Sequence, residues 1–221
     1  MNPKKIKIFI FGRDKVNWSI DKDRETITFF LKKNNFKITK NIFKSTHVFC
    51  VWADLLLSSY YWWLLMIKII FKFKIIAVIT NDISFYPQKL NRLKKYVDIF
   101  IAPSSKIYDL LNANGLKVCK IPFFVNPNIF KPLNLKKEEI CKRLDIKWNL
   151  LKDKIIIGSF QRDSLGTNLL KPKWQKNPDL LIKILEKLPK EKTIFLLAGP
   201  RRHYIIDRCI EKKINFLFYG D

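Results

Sequence analysis

The chain has 221 residues, a length for one or two domains, and its 48% hydrophobic content is enough for a buried core. The formal charge is +24, of which +15 lies before residue 135 (23 basic, 8 acidic residues) and +9 from there on (20 basic, 11 acidic). The excess is spread along the chain, which excludes a basic tail and leaves polyanions in general as partners: nucleic acid, an anionic membrane or phosphorylated small molecules. Lys, Ile, Asn and Phe are abundant and Gly and Ala scarce, so compositional drift on solvated faces is an equally good account of much of the excess.

The first strand is expected at 5–11 (KIKIFIF), followed by a helix at 21–34 with acids first and lysines last, as the helix dipole favours. The start, MNPKKIKIFIFG, does not follow the plan of a signal peptide, because its apolar run is short and contains lysines. A second strand is expected at 46–52 (THVFCVW), then a helix from about Asp54. The run from Leu55 to Ile79 is very apolar, but Lys68, Lys72 and Lys74 interrupt it where charge is most costly in a bilayer. It reads as a buried helix followed by a buried strand; an aromatic face around YYWW (60–63) touching a membrane is the minority alternative.

Runs at 74–80 and 97–102 are near-continuously apolar, as in parallel strands buried on both faces. A serine-capped helix at 103–115 and a short strand at 117–122 follow. The segment FFVNPNIFKPLN (123–134) has two prolines, three asparagines and no regular period, and reads as a connector. A helix at 136–146, a strand at 154–160, a helix from Pro178 to about Leu188, a strand at 193–199, a helix at about 201–213 and a strand at 214–220 complete the pattern. Alternating βα units predict an α/β fold with parallel sheets and helices on both faces, here two Rossmann-like domains. The expected division is 1–125, a connector with a helix at 126–150, and a partial second domain at 151–221.

Cys50, Cys119, Cys141 and Cys209 are scattered, with no CxxC and no metal spacing, and His47 and His203 do not build a metal site with them. No metal site and no disulfide framework are expected, which fits a reducing, cytoplasmic compartment. His47 opens a strand and reads as structural. No Walker loop, GxSxG elbow or HExxH is present. Ligands of open α/β sheets bind beyond the carboxyl ends of strands. The long loop 160–176 lies there, with Arg162 just past a strand end and Lys176 at a helix entry. A guanidinium fork and a lysine converging on a helix start suit a diphosphate; a solvated lysine-rich loop is the equal alternative. The GPRRH turn (199–203) ends a strand with Gly199 and starts a helix; both its arginines, Arg201 and Arg202, are candidates to touch a phosphate, and a solvated helix start is at least as good an account.

The series IGSFQRD, KNPDLLIKILEKL and IFLLAGPRR resembles the start of the donor-binding domain of GT-B glycosyltransferases of the retaining "glycosyl transferases group 1" type. There a strand-end glycine is followed by Arg, then by Lys before a G/N-x-D-x-L-I motif. VDIFIAPSS and IPFFVNPNIFKP are similar to the family's late acceptor-domain strand and interdomain segment. The resemblance implies a metal-independent, retaining transferase without a cofactor. Its substrates would be a nucleotide sugar and a glycan or lipid-linked acceptor, as in cell-envelope polysaccharide synthesis. Arg162 and Lys176 would bind the donor diphosphate and stabilise it as leaving group, with Gly158 and Ser159 beside them. Gly12, Trp18, Asp21, Asn81, Asp82, Gly199 and Arg201 are candidates for the cleft, with a capped helix start the favoured account of Trp18 and Asp21. Peripheral contact with the inner membrane face is an expected partner, and nucleic acid is not.

The departures are specific. FGRDKVNWSIDKD has the single glycine Gly12 where the family loop is glycine-rich, and Asn81-Asp82 stand where the family often has histidine. The family's acidic E-x7-E-like segment would fall beyond residue 221, so a fragment or degenerate product is expected. The alternative is a non-catalytic basic α/β protein that binds nucleic acid or an anionic membrane.

Overall fold

The computed structural model describes residues 5–13, 19–58, 62–81, 83, 87–123, 125, 127 and 130–220. The chain forms two compact units, Met1–Lys131 and Pro132–Asp221. Both are α/β, each built on a parallel sheet.

In the first unit the apolar runs become β1 (Lys7–Phe11), β3 (His47–Cys50), β4 (Lys74–Val78), β5 (Ile99–Ala102) and β6 (Val118–Lys120). A two-residue strand β2 (Lys37–Ile38) joins the edge, giving the order β2-β1-β3-β4-β5-β6, parallel throughout. Two residues carry no periodicity, and β2 is accordingly invisible in the sequence pattern. The helices are α1 (Ser19–Lys33), α2 (Trp62–Phe71), α3 (Pro87–Leu93) and α4 (Ser105–Ala113). The helix expected from Asp54 is instead a 3₁₀ turn, Ala53–Leu57, that closes on Ser58 before α2. Helix α3 was not expected; its seven residues bury only Leu90 and Leu93.

The two faces of the first sheet are covered unequally. Val48, Cys50, Ile75, Ala77 and Phe100 on one face share a core with Leu64 of α2, Leu90 and Leu93 of α3, and Ile107 and Leu111 of α4. On the other face Ile8, Ile10 and Val51 pack with Ile20, Ile27 and Leu31 of α1. Beyond α1 an apolar groove of about 430 Å³ remains open, lined by Phe30, Phe49, Val78, Ile101, Ile121 and Phe123. β4 is therefore alternately buried and half-buried, not buried on both faces as its apolar run suggested.

In the second unit β7 (Ile155–Ser159), β8 (Thr193–Leu197) and β9 (Phe216–Phe218) pair in that order, parallel. α6 (Pro178–Glu186) and α7 (His203–Glu211) share a core with the sheet through Ile182, Leu185, Phe195, Leu197, Ile205 and Cys209. α5 (Lys137–Arg143) contributes Cys141 to a second cluster with Leu151, Ile194, Ile156 and Leu217. The helix expected within the connector thus belongs to the core of the second unit. Among the described residues no helix is long and apolar enough to cross a membrane.

Candidate anion-binding site

The loop from 160 to 176 is not irregular. Ser164 and Pro172 form an antiparallel bridge, Leu165 N–H donates to Lys171 O at 3.0 Å, and Lys173 N–H donates to Asp163 O at 2.6 Å. A small hairpin therefore folds back over the carboxyl end of β7. It ends in the 3₁₀ turn Trp174–Lys176, and Asn177 then adopts the left-handed conformation (φ 44°) and accepts from Leu180 N–H, starting α6 with Pro178 in the first turn.

The hairpin is anchored to the start of α7. Asp163 and Ser164 N–H groups donate to Arg201 O at 3.3 and 3.2 Å. Ser164 Oγ accepts from Tyr204 N–H at 2.9 Å, and Asp163 Oδ1 accepts from Ile205 N–H at 3.3 Å and from the Ser164 hydroxyl at 3.0 Å. Helix α7 has no side-chain cap of its own at Arg202. Two residues some forty positions earlier satisfy the Tyr204 and Ile205 amides, which are consequently not open to a ligand.

Beneath this cap lies a buried ion pair. Arg202 Nε is 3.1 Å from Asp163 Oδ2, with side chains 0% and 2% exposed. Arg202 Nη2 donates to Ser159 Oγ at 2.9 Å, while Nε and Nη1 find no aligned hydrogen-bond acceptor. Burial pushes the Asp163 carboxyl up and the Arg202 guanidinium down, and their mutual attraction opposes both shifts. The pair is internal structure. Its effect is to fix the hairpin against α7 and to remove Asp163 as a counter-charge for the cations around it.

Those cations converge. Burial first, and then the charges of Arg162, Lys176 and Arg201, hold the Lys173 ammonium below its ordinary range. Arg162 and Arg201 are half-buried and Lys176 is exposed. Arg201 takes a left-handed backbone (φ 58°), and its guanidinium lies on Gly166, where a Cβ would sit 2.6 Å from Nη1. Gly199 (φ 93°) brings the end of β8 close to Phe160: a Cβ there would lie 3.3 Å from Phe160 O. Three cations therefore bear on the Lys173 ammonium, an arrangement that a polyvalent anion relieves.

Backbone bonds from Lys173 to Asp163, from Lys176 to Lys173 and from Asp163 and Ser164 to Arg201 bring the segments of Arg162, Lys176 and Arg201 together, with Lys173, one residue of a lysine-rich loop in the sequence, among them. Gly158 lies under the Phe160 ring, and Ser159 is buried with its hydroxyl bound to Arg202. The two arginines of GPRRH take opposite roles, since Arg201 joins the cations and Arg202 is internal. The absence of any capping residue in Pro200-Arg201-Arg202 was the signal that an external cap was needed.

The remaining candidates belong to the first unit. Gly12 (φ 109°) ends β1, where a Cβ would lie 2.8 Å from Val51 Cγ2. Asp21 is in the first turn of α1, where its charge raises the Arg24 guanidinium against the larger lowering by burial. Asn81 Nδ2 donates to Asp54 Oδ2 at 2.7 Å beyond the end of β4 and lines a cavity of about 200 Å³ with Thr80, Ser104 and Lys106. Trp18 and Asp82 lie outside the described residues. His47 accepts or donates at Nδ1 with Thr46 Oγ1 at 3.0 Å, and burial and then Lys74 hold its pKa down. Among the described residues no three His, Cys, Asp or Glu side chains group as metal ligands.

The chain matches no model of a known protein family and no curated protein.

Proposed function

We propose that this chain is a glycosyltransferase of the retaining GT-B type, and that the second unit binds the diphosphate of a nucleotide sugar. The observation that carries the reading is the hairpin after β7, whose backbone bonds tie the segments of Arg162, Lys173 and Lys176 to Arg201. In this reading Arg162 clasps two diphosphate oxygens through its planar fork, and Lys173 and Lys176 add point charges. Arg201, propped on Gly166, closes the group. When the glycosidic bond breaks, negative charge grows on the diphosphate, and preplaced cations stabilise that charge without reorganising. Positive charge is supplied by side chains, so the reading does not call on a metal ion. In this reading the donor carries a hexose or related sugar, and the acceptor is a glycan or a lipid-linked molecule.

The test is calorimetric titration of UDP and GDP into the full chain, with an unrelated polyanion as control. Selective nucleotide diphosphate binding that weakens at least about tenfold in Arg162→Ala is expected, since one charge-assisted hydrogen bond contributes about 1.5–3 kcal/mol. Salt-sensitive binding of any polyanion, indifferent to Arg162, would favour the non-catalytic basic protein that the +24 charge also allows.

A further inference from the structure

Helix α2 turns its apolar side outward. Trp62, Met66, Ile69 and Ile70, at i, i+4, i+7 and i+8, share one face and are 65, 51, 65 and 65% exposed. Its inward face carries buried Leu64 and, unusually, the helix's one cation: Lys68 Nζ is 2.9 Å from Asp98 Oδ2 and donates to Tyr96 O at 2.6 Å. At the end of the helix Phe71 meets Phe43, itself 52% exposed, with ring centroids 5.1 Å apart. A soluble surface helix normally has the reverse arrangement, with charge outside and apolar residues inside.

The rim of this face is basic. Exposed Lys44 and Lys72 flank the Phe43–Phe71 pair. The patch then runs into the amino edge of the first sheet, where Lys74 pairs in register with His47, and Lys7 with Lys37, all three lysines being exposed. Asp98, which lies at the same edge, is taken up by Lys68 and by Ile75 N–H. The rim therefore keeps its positive charge.

We propose that the outward face of α2, with Phe43, docks on the surface of an anionic phospholipid bilayer. The ten residues of α2 span about 15 Å, half of a bilayer's hydrocarbon core, so the helix lies in the interface plane and does not cross it. Its aliphatic side chains and Trp62 enter the acyl boundary while the lysine rim meets the headgroups. Nucleic acid fits less well, because the centre of the patch is Met66, Ile69 and Ile70, which offer nothing to a sugar–phosphate backbone. The proposal rests on the first unit alone and is independent of nucleotide binding by the second.

The test is co-sedimentation of the full chain with phosphatidylcholine vesicles, with and without phosphatidylglycerol, over a range of salt. Binding is expected to the anionic vesicles, to weaken with salt, and to fall at least about tenfold in Ile69→Glu/Ile70→Glu, whose exposed positions leave the melting temperature unchanged. Met66→Glu, on the same face, repeats the test at a single site should the double variant not fold. Lys44→Gln/Lys74→Gln should lower binding roughly fivefold per charge. A chain that stays in the supernatant, or vesicle binding that survives the face variants, overturns the proposal. So does a dimer in light scattering that Ile69→Glu/Ile70→Glu dissolves without affecting vesicle binding, since the face would then serve a second copy of the chain.

Discussion

Replacing Asp163 by Asn tests how far the buried pair stabilises the second unit. The amide oxygen of Asn can still accept from Ile205 N–H and from the Ser164 hydroxyl, so the cap on α7 keeps its shape. What is lost is the charge opposite Arg202, a side chain with no exposure and with Ser159 Oγ as its aligned acceptor. Solvent screens little at that depth, so the cost is that of a stranded buried charge, about 3–5 kcal/mol, which is a large fraction of a domain's net stability. Asp163→Ala should cost about 1 kcal/mol more, because the cap goes as well. The double variant Asp163→Asn/Arg202→Met removes both charges and should return most of the loss, because a buried pair exchanged for neutral groups of similar volume is often close to neutral. Urea unfolding of the full chain, fitted for two transitions because there are two compact units, should show the loss in one transition and leave the other unmoved. A single variant within 1 kcal/mol of the parent, or a double variant as unstable as the single, would refute the reasoning.

Two further outcomes follow from the titrating groups. Because the Lys173 pKa is held down in the free protein, a bound anion raises it, so binding takes up a proton at alkaline pH. Affinity for inorganic pyrophosphate should accordingly begin to fall at a pH below the range of ordinary lysine and go on falling up to the raised pKa of the complex, and Lys173→Gln should flatten that profile; calorimetry in buffers of different ionisation enthalpy measures it. Thiol labelling should divide the cysteines: Cys119 is exposed and reacts in the native protein, whereas Cys50 and Cys209, each pushed up to about 12 by burial, and buried Cys141 should react only on unfolding. Cys119→Ser should abolish the fast phase.

The long apolar runs and their helical spacers were legible because burial in a sheet leaves a direct mark on composition. The parallel α/β class follows from them, as do β1, β3 to β9 and the helices with clear caps, such as α4 behind Ser104 and α6 behind Asn177-Pro178. β2 and α3 are too short to carry a period, and the exposed side of α2 was misleading because its apolar residues read as core. At the candidate site, Arg162 and Lys176 were visible through their place relative to a strand end and a helix start. Lys173 was not singled out, because its importance depends on a hairpin whose closure brings together Asp163 and Lys173 backbone groups. Nor was the internal role of Arg202, whose partner Asp163 lies on a different loop: contacts of that sequence separation leave no local pattern.

The cap that Asp163 and Ser164 provide to α7 gives this region a built-in reporter of motion. First-turn amides of a helix ordinarily lack protein acceptors and exchange with solvent freely. Here the Tyr204 and Ile205 amides are bonded only while the hairpin is docked. Their exchange rates therefore read the opening equilibrium of a segment elsewhere in the chain, and a pyrophosphate that bridges the hairpin cations and Arg201 should slow both amides together without touching either one.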